Sequence, residues 1–388
     1  MTTIEGNVAS GFEALIESFA ATFAGAPTMG AALSVRIDGE LVANLWGGVA
    51  DERAGTRWTR NTPSVIYSCT KGLMSALIAR LVDEGRLDYD APMARYWPEF
   101  AANGKDAVTV GQALSHRAGL SAPRTDLTLD QALDWDFMTG ELASQEPLWT
   151  PDTGYAYHAI THGWLTGELI RRVTGKSARD YFNEVTAPLG LDAWIGLPPD
   201  PASVAHLQVA PDLAEGWLNP PGDHADGTPD WPTRAMTLGH VFPQGLATPD
   251  GAWNDERVRA AQWPGAGGIA SAEGLATFWS GTVVETKGVA PLLSPAVIAR
   301  ATQVMSEGPP VFPAEGPFPR WGMGFLLDCN TRRVLTPSGF GHDGAGGQVG
   351  FADPELRVGF GYVPNWLRGA GDDRGKSIID TLRGILTA

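Results

Sequence analysis

The chain has 388 residues, of which 28 are basic and 44 acidic, so its formal net charge at pH 7 is −16. This acidic surplus argues against nucleic-acid binding and against docking on anionic membranes, because both need clustered Lys and Arg. A composition of 43% hydrophobic and 19% charged residues predicts a well-cored globular protein, and two cysteines are too few for a disulfide framework.

The amino-terminal segment has neither the basic cluster nor the apolar stretch of a secretion signal. The sequence also contains no run of 18 apolar residues, the length needed to span a bilayer. We therefore expect a cytoplasmic protein without membrane or nucleic-acid partners. The sequence predicts no oligomeric state.

The first elements are a helix and a hairpin. Apolar residues recur every three or four positions over 8–23 and predict an amphipathic helix. The runs 31–37 and 41–48 predict two strands, and they are joined through Asp38 and Gly39, a dipeptide that is a strong hairpin signal. An antiparallel sheet is therefore expected to begin here.

The middle of the chain differs in kind from its ends. Helical patterns occur at 72–84, 109–118, 161–174 and 272–284, separated by long irregular stretches. Eleven of the 29 prolines lie within 198–264, which is too many for long regular elements. Two interpretations of that segment are open: a surface excursion without function, or a wall over a substrate cleft.

The last elements are strands at 321–328 and 348–365, followed by a helical pattern over 376–386. The two ends of the chain are thus expected to share one sheet. We predict a discontinuous sheet domain of residues 1–90 and 265–388. Residues 91–264 form a mostly helical domain with Pro-rich covering loops.

Ser68 and Lys71 stand three residues apart at the start of the helical pattern 72–84. This spacing places both side chains on one helix face, one turn apart, with the serine at the positive end of the helix dipole. The arrangement suits a nucleophile and its base. The alternative is a capping serine followed by a solvated lysine.

Two other segments could supply chemistry. Tyr155 and Tyr157 lie in the turn-rich segment 149–158, where a tyrosine is either a catalytic phenol or a packed aromatic. The glycine-rich segment 340–347 precedes a predicted strand, and its small residues would let the backbone approach a ligand. Its alternative is a simple turn.

In this order the three segments resemble the motifs of the serine β-lactamase and penicillin-binding protein superfamily. The class C branch and the related family VIII carboxylesterases are the most similar. The resemblance continues through LWGGVADERAG (45–55), LVDEGRLDYDAPMARYWPEF (81–100), ALSHRAGLSAP (113–123), PGAGGIASAEGLATF (264–278) and GHDGAGGQVGFADPELRVGFGYVPN (341–365). It implies an α+β fold of the β-lactamase/DD-peptidase type, with an antiparallel sheet flanked by helices and an inserted all-helical domain.

The resemblance also implies roles for single residues. Ser68 becomes the nucleophile and Lys71 its partner in an S-x-x-K motif. The tyrosine of the second motif precedes a glycine by six residues, and this spacing to Gly163 selects Tyr157, with Tyr155 as the alternative.

The backbone N–H groups of two residues are expected to form the oxyanion hole. They belong to Ser68 and to Ala345, which follows the glycine of the third motif. The residues expected to contact the substrate are His342, Gly344, Tyr155 and Trp149.

Two positions depart from the class C pattern. Ala159 stands where the second motif has asparagine, and His342 stands where the third has lysine. The site therefore lacks an amide and a permanent cation that would hold the side chain and carboxylate of a β-lactam. Simple carboxylic esters need neither group.

The implied function is a serine carboxylesterase for short- to medium-chain esters, with an acyl-enzyme on Ser68 and with Lys71 and Tyr157 as general base and acid. β-Lactamase activity is expected to be weak or absent. The alternatives are a β-lactamase, D-alanyl peptidase or amidase with the same residues, and a non-catalytic binding homologue. The expected partner is a small ester, and no metal or cofactor is expected.

Three histidines near the motifs receive no chemical role. His158 and His162 are spaced as in an H-E-x-x-H zinc site, but Ala159 replaces the required glutamate. His116 is expected to order a loop.

Overall fold

The computed structural model describes residues 2–198, 203–210, 222–242, 247–248, 250–369 and 371–387. The strands are β1 (Ile4–Val8), β2 (Gly30–Ile37), β3 (Glu40–Asp51), β4 (Thr56–Arg57), β5 (Ser64–Tyr67), β6 (Ala193–Ile195), β7 (Gln208–Val209), β8 (Gly268–Ala270), β9 (Leu326–Leu327), β10 (Phe340–Asp343), β11 (Val349–Asp353), β12 (Val358–Pro364) and β13 (Trp366–Leu367).

The α-helices are α1 (Ala14–Ala21), α2 (Cys69–Asp83), α3 (Val110–Leu114), α4 (Leu129–Leu133), α5 (Trp135–Ser144), α6 (His162–Thr174), α7 (Ala178–Thr186), α8 (Trp231–Thr237), α9 (Glu256–Ala260), α10 (Ala272–Val283), α11 (Pro295–Ala301) and α12 (Arg374–Leu386). Short 3-10 helices occupy Met93–Arg95, Pro98–Gly104 and Ala187–Leu189.

The main sheet has eight strands and takes them from both ends of the chain. Its order is β1-β3-β2-β12-β11-β10-β9, with β4 paired to β3. One face packs under α1 and α12, where Phe19 and Leu382 join a core with Val35 and Phe360 of the strands. The opposite face lies against α10, whose backbone closely approaches Gly359. The prediction of a shared antiparallel sheet is confirmed.

The predicted hairpin is also present. Strands β2 and β3 are joined by a two-residue turn, since Ile37 already pairs with Glu40. Asp38 and Gly39 have φ angles of 50° and 83°, the left-handed values that a tight hairpin turn requires.

A smaller three-stranded sheet, in the order β5-β8-β6, lies apart from the main one. Val65 of β5 pairs with Ile269 of β8, and Trp194 of β6 pairs with the same residue from the other side. Strand β5 leads directly into α2, so this sheet fixes where α2 begins.

Two predicted elements are shorter than their patterns suggested. The helix expected over 8–23 covers only Ala14–Ala21, because β1 extends to Val8 and Gly11 with a φ of 92° interrupts the chain between them. The strand expected over 321–328 covers only Leu326–Leu327, and Gly324 with a φ of 86° precedes it. A periodic apolar pattern does not locate such backbone breaks.

The described residues between the two halves of the sheet hold the helices α3 to α9 and also the strands β6 and β7. The division at residues 90 and 265 stays a prediction. Within the Pro-rich segment 198–264, residues 199–202, 211–221, 243–246 and 249 lie outside the described residues. No helix in the described ranges combines the length and apolar character needed to cross a bilayer.

Gly163 in α6 is needed for a close approach between two elements. A Cβ built there would lie 2.1 Å from the backbone nitrogen of Gly265. We therefore expect Gly163→Ala to lower the free energy of unfolding by about 1–3 kcal/mol through overpacking. Gly140→Ala in α5 is the matched control, since its Cβ would meet open space and should stabilise the helix by about 0.5–1 kcal/mol. Equal urea midpoints for the two variants would contradict this account.

Candidate active site

Ser68 lies between the last residue of β5 and the first residue of α2. The preceding residue, Tyr67, has a φ of 44°, a strained value for a non-glycine residue. Thr70 holds this turn, because its hydroxyl donates to the Tyr67 carbonyl and accepts from the Gly268 N–H at 2.8 Å. Within the described part of the chain the Ser68 side chain makes no capping hydrogen bond, which argues against the capping interpretation.

Two side chains meet at the hydroxyl of Ser68. Lys71 Nζ lies 3.0 Å from Ser68 Oγ, and the Tyr157 phenol donates to the same oxygen at 2.8 Å. Lys71 Nζ also lies 4.8 Å from the centre of the Tyr157 ring. The structure thus brings together the three residues predicted to carry the chemistry.

The Lys71 amine is fully buried and is bound by backbone oxygens. It donates to the carbonyls of Ala159 at 2.5 Å and Gly265 at 2.7 Å. Among the described residues, no carboxylate forms an ion pair with it. Burial therefore lowers the pKa of Lys71 well below its usual value, which favours the neutral amine.

Tyr155 and Tyr157 have different partners. The Tyr155 phenol donates to the carbonyl of Gly308 at 2.6 Å and packs beside Trp321, whereas the Tyr157 phenol reaches Ser68. Burial raises the pKa of Tyr157 above its usual range, so its phenol keeps its proton. The geometry favours Tyr157 over Tyr155 as the phenol at the nucleophile.

The segment that carries Tyr157 is tied to the loop after α3 through two imidazoles. The His158 N–H donates to His116 Nδ1 at 3.2 Å, and the Ala156 N–H donates to the His116 carbonyl at 3.2 Å. His158 Nδ1 donates to the Ala156 carbonyl at 2.7 Å, and its Nε2 accepts from the Leu120 N–H at 3.2 Å. His116 thus orders the segment that carries the Tyr157 phenol, in agreement with the expectation that it orders a loop.

Four buried imidazoles lie around the Tyr157 ring: those of His116 and His342 contact it, and those of His158 and His162 contact His116. Burial lowers the pKa of His158 to about 4 and holds the pKa values of the others well below the usual value. The others are His116, His162 and His342. All four are therefore neutral at pH 7, so the structure shows no permanent cation at the third-motif position.

The third motif ends in a turn beside the nucleophile. Gly344 donates to the Gln348 carbonyl at 2.7 Å, and Gly346 donates to Gln348 Oε1 at 3.0 Å. A Cβ on Gly344 would lie 2.6 Å from the carbonyl oxygen of Ile66, so this turn contacts the strand that leads to Ser68. Among the hydrogen bonds of the described residues, none uses the N–H of Ala345.

A groove of about 570 Å³ adjoins this turn and is lined by Gly344 and Ala345 on one side. Met236 of α8 also lines it, so a described part of the Pro-rich segment contributes to its wall. Trp149 lies elsewhere, since its ring packs edge-on against His158 and Phe312 at 5.9 and 5.7 Å. The contact of Trp149 with a substrate stays a prediction without a geometric argument for it.

The sequence pattern missed some residues of the site. The carbonyls of Ala159 and Gly265 hold Lys71, and backbone acceptors leave no signal in residue types. Trp321 lies in the predicted strand 321–328, and that prediction gave its side chain no role at the site. In the structure its ring stacks on Tyr157 with centroids 5.1 Å apart. A tryptophan followed by a glycine can indicate an aromatic residue beside an irregular loop. The sequence around Trp321 does not indicate that its ring contacts Tyr157.

The described residues contain no cluster of three or more His, Cys, Asp or Glu side chains suited to a metal ion. The zinc-like spacing of His158 and His162 does not indicate a metal site here. Both ring nitrogens of His158 already have protein partners, the Ala156 carbonyl and the Leu120 N–H.

Sequence comparison relates this chain to known proteins. A sequence model of the beta-lactamase family matches residues 16–383. The chain is 33% identical over 377 residues to the esterase/beta-lactamase LipL of Mycobacterium tuberculosis, and the match covers 92% of this chain and 81% of LipL.

Solved structures agree with this similarity. A family VIII carboxylesterase superposes with a TM-score of 0.84 at 35% identity, covering 99% of this chain and 100% of the esterase. A penicillin-binding protein homologue from Caulobacter crescentus gives a TM-score of 0.82 at 36% identity, covering 99% and 100%. The predicted α+β, β-lactamase-like fold is confirmed, and the similarities support a serine hydrolase activity.

The four neutral imidazoles predict a loss of stability in acid. Their pKa values in the folded protein lie below the value of about 6.5 expected for an unfolded chain. As pH falls below about 6.5, the unfolded chain takes up these protons before the folded protein does, and for His158 this difference persists to about pH 4. Each imidazole should then lower the free energy of unfolding by up to about 1.4 kcal/mol per pH unit.

Urea unfolding between pH 7.5 and 4.5 measures this slope. His342→Asn is the diagnostic variant, because its amide can still donate to the Asp343 carbonyl that His342 Nδ1 contacts at 2.8 Å but cannot titrate. We expect the slope of this variant to be smaller by about 1.4 kcal/mol per pH unit. Identical slopes for variant and wild type would refute a buried neutral His342.

Proposed function

Because the chain belongs to the beta-lactamase family, we propose that it is a serine carboxylesterase that cleaves short- to medium-chain esters through an acyl-enzyme on Ser68. One observation carries the proposal: both the Lys71 amine and the Tyr157 phenol contact Ser68 Oγ, at 3.0 and 2.8 Å. A nucleophile with a base and an acid within hydrogen-bonding distance is the arrangement that acyl transfer needs.

Lys71 acts as the base. A neutral amine has two N–H groups and one lone pair, and the carbonyls of Ala159 and Gly265 take both N–H groups. The lone pair then faces Ser68 Oγ, which lies 3.0 Å away, and in the proposed reactive state the Ser68 hydroxyl donates to it. As Ser68 attacks the ester carbonyl carbon, its proton passes to Lys71.

Tyr157 acts as the acid. Its raised pKa keeps the phenol protonated, so it can donate a proton to the alkoxide that leaves when the tetrahedral intermediate collapses. The phenol recovers a proton from the Lys71 ammonium, and the amine is neutral again. In the second half of the reaction water attacks the acyl carbonyl carbon while Lys71 accepts its proton. Collapse of this intermediate breaks the bond to Ser68 Oγ, which takes that proton back from Lys71, so the acid is released and both residues return to their starting forms.

The negative charge on the carbonyl oxygen needs two donors. The N–H groups of Ser68 and Ala345 have this role in the proposal, and the contact of Gly344 with the Ile66 carbonyl places the third-motif turn next to the nucleophile. The N–H of Ser68 also lies at the amino-terminal end of α2, where the helix dipole favours a negative charge.

The charges around the cleft favour an uncharged substrate. His342 is neutral and 2% exposed, so it offers no cation to a carboxylate. The basic residues of the adjoining groove already have partners: Arg332 pairs with Asp343, Arg333 with Asp328 and Lys376 with Asp380, while Arg368 donates to the Ala24 carbonyl. A neutral ester loses little by entering such a site.

The groove beside Ala345 suits the acyl chain. Its volume of about 570 Å³ is within the usual range for small-molecule sites, and Met236 and Ile379 provide apolar wall. Its position beside the turn assigned to the oxyanion hole is the argument for placing the acyl chain there. This volume supports short and medium acyl chains.

Hydrolysis of β-lactams is the second candidate, since the esterase/beta-lactamase LipL is named for both activities. The same serine, lysine and phenol would open the lactam ring. Ala159 and His342 weigh against it, because neither can hold the polar groups of a β-lactam as the class C residues would.

A pair of substrates and a covalent probe test the function. We expect p-nitrophenyl butyrate to be cleaved with a higher kcat/KM than nitrocefin, and a fluorophosphonate to label Ser68 in the wild type but not in Ser68→Ala. Faster nitrocefin cleavage would favour the second candidate. Folded protein that is not labelled would favour a non-catalytic binding role.

The two buried lysines offer a matched test of the base. Lys105, like Lys71, is fully buried and donates to two carbonyls, those of Ala102 and Gln145, and burial lowers the pKa of Lys105 to about 8. Lys71→Met and Lys105→Met should therefore lose similar stability, because each leaves carbonyls unpaired. Only Lys71→Met should lower kcat, by about 10²- to 10⁴-fold.

Ester turnover and urea unfolding of the same samples separate the two effects. Retained turnover in Lys71→Met, or an equal loss in Lys105→Met, would remove Lys71 from the mechanism.

A further inference from the structure

Trp321 lies where three segments of the site meet. Its ring stacks on Tyr157 with centroids 5.1 Å apart and planes at 20°. The edge of His116 meets it at 4.5 Å and 81°, and His342 lies 5.5 Å away. Tyr157 carries the phenol, His116 belongs to the loop that holds the Tyr157 segment, and His342 belongs to the third motif.

The backbone of Trp321 is fixed on both sides. Its N–H donates to the Ser306 carbonyl at 2.8 Å, and its carbonyl accepts from the Met305 N–H at 2.8 Å. The Ser306 hydroxyl then donates to the Ser115 carbonyl at 2.8 Å, one residue before His116. The indole is therefore held against the same loop that orders the Tyr157 segment.

The indole N–H makes no compensating contact. Trp321 is buried, with 4% of its surface exposed, and Nε1 has no hydrogen-bond partner among the described residues. A buried donor without an acceptor opposes folding. The contribution of this side chain therefore comes from its ring face, which lies on Tyr157.

We infer that Trp321 is a positioning residue that holds the Tyr157 phenol at Ser68 for proton transfer. The inference rests on the proposed esterase function and adds a residue outside its three motifs. Tyr157 is only half-buried, and the aromatic contacts that orient its ring are the Trp321 face, the His116 edge at 5.0 Å and His342 at 6.2 Å. His342 is also stacked on Tyr157, with planes at 28°, but the Trp321 ring lies closer and more nearly parallel, so it contributes more to limiting the tilt of the phenol.

Kinetics of three Trp321 variants test this role with a neutral ester. We expect Trp321→Ala and Trp321→Leu to lower kcat by about 10²-fold, because a displacement of about 1 Å can cost that much, with KM changed by less than about threefold. Trp321→Phe keeps a ring face on Tyr157 and removes the unpaired N–H, so it should retain kcat within about threefold.

Trp58 is the matched control for the loss of a buried indole. It is 2% exposed, its Nε1 also lacks a partner among the described residues, and it packs against Gly30. Trp58→Ala should create a comparable cavity and lower the urea midpoint, but leave kcat within about threefold of wild type. Should Trp321→Ala not fold, the comparison between Trp321→Leu and Trp321→Phe decides.

The rate of fluorophosphonate labelling at Ser68 provides a second readout. Fluoride leaves without a proton from Tyr157, so labelling should stay within about threefold of wild type in Trp321→Leu, Trp321→Phe and Trp58→Ala while ester turnover falls in Trp321→Leu. A loss of labelling in Trp321→Leu as large as its loss of kcat would overturn the positioning role, because the defect would then lie at Ser68 or Lys71. Equal kcat values for the Leu and Phe variants, or an equal loss in Trp58→Ala, would overturn the positioning role. A wild type that is labelled slowly and cleaves no ester would overturn the proposed function instead, and with it the premise of this role.

Discussion

The site depends on a buried Lys71 amine that is bound by backbone carbonyls and by no carboxylate among the described residues. Burying a lysine is unfavourable unless its hydrogen-bonding groups are satisfied, and here two carbonyls from distant segments do this. Ala159 precedes α6 and Gly265 precedes β8. The close approach of Gly163 to Gly265 draws these segments together. The packing of α6 against the loop before β8 is thus also what binds Lys71.

The neutral imidazoles add no positive charge to the site around Lys71. A second ammonium at position 342 would repel any proton held by Lys71 and attract anionic ligands, whereas neutral His342 does neither. The same substitution therefore affects both the base and the substrate. The acidic surface of the chain, at a net charge of −16, acts in the same direction by disfavouring anions at long range.

Much of the fold could be predicted, because the hairpin at Asp38 and the S-x-x-K spacing of Ser68 and Lys71 are local patterns. The remainder depends on contacts between segments far apart in sequence. The carbonyl of Gly265 and the stacked ring of Trp321 reach the site only after the chain has folded back on itself. Residue types could suggest which groups react, but they did not indicate which groups hold them in place.

A single physical cause separates the roles of Lys71 and Tyr157. Removing water from a titratable group disfavours its charged form, which is the protonated form for an amine and the deprotonated form for a phenol. The same burial therefore lowers the pKa of Lys71 and raises that of Tyr157. In the proposed mechanism the amine can then take the Ser68 proton, while the phenol retains one to give. Both groups contact Ser68 Oγ, so their opposite pKa shifts act on the same oxygen.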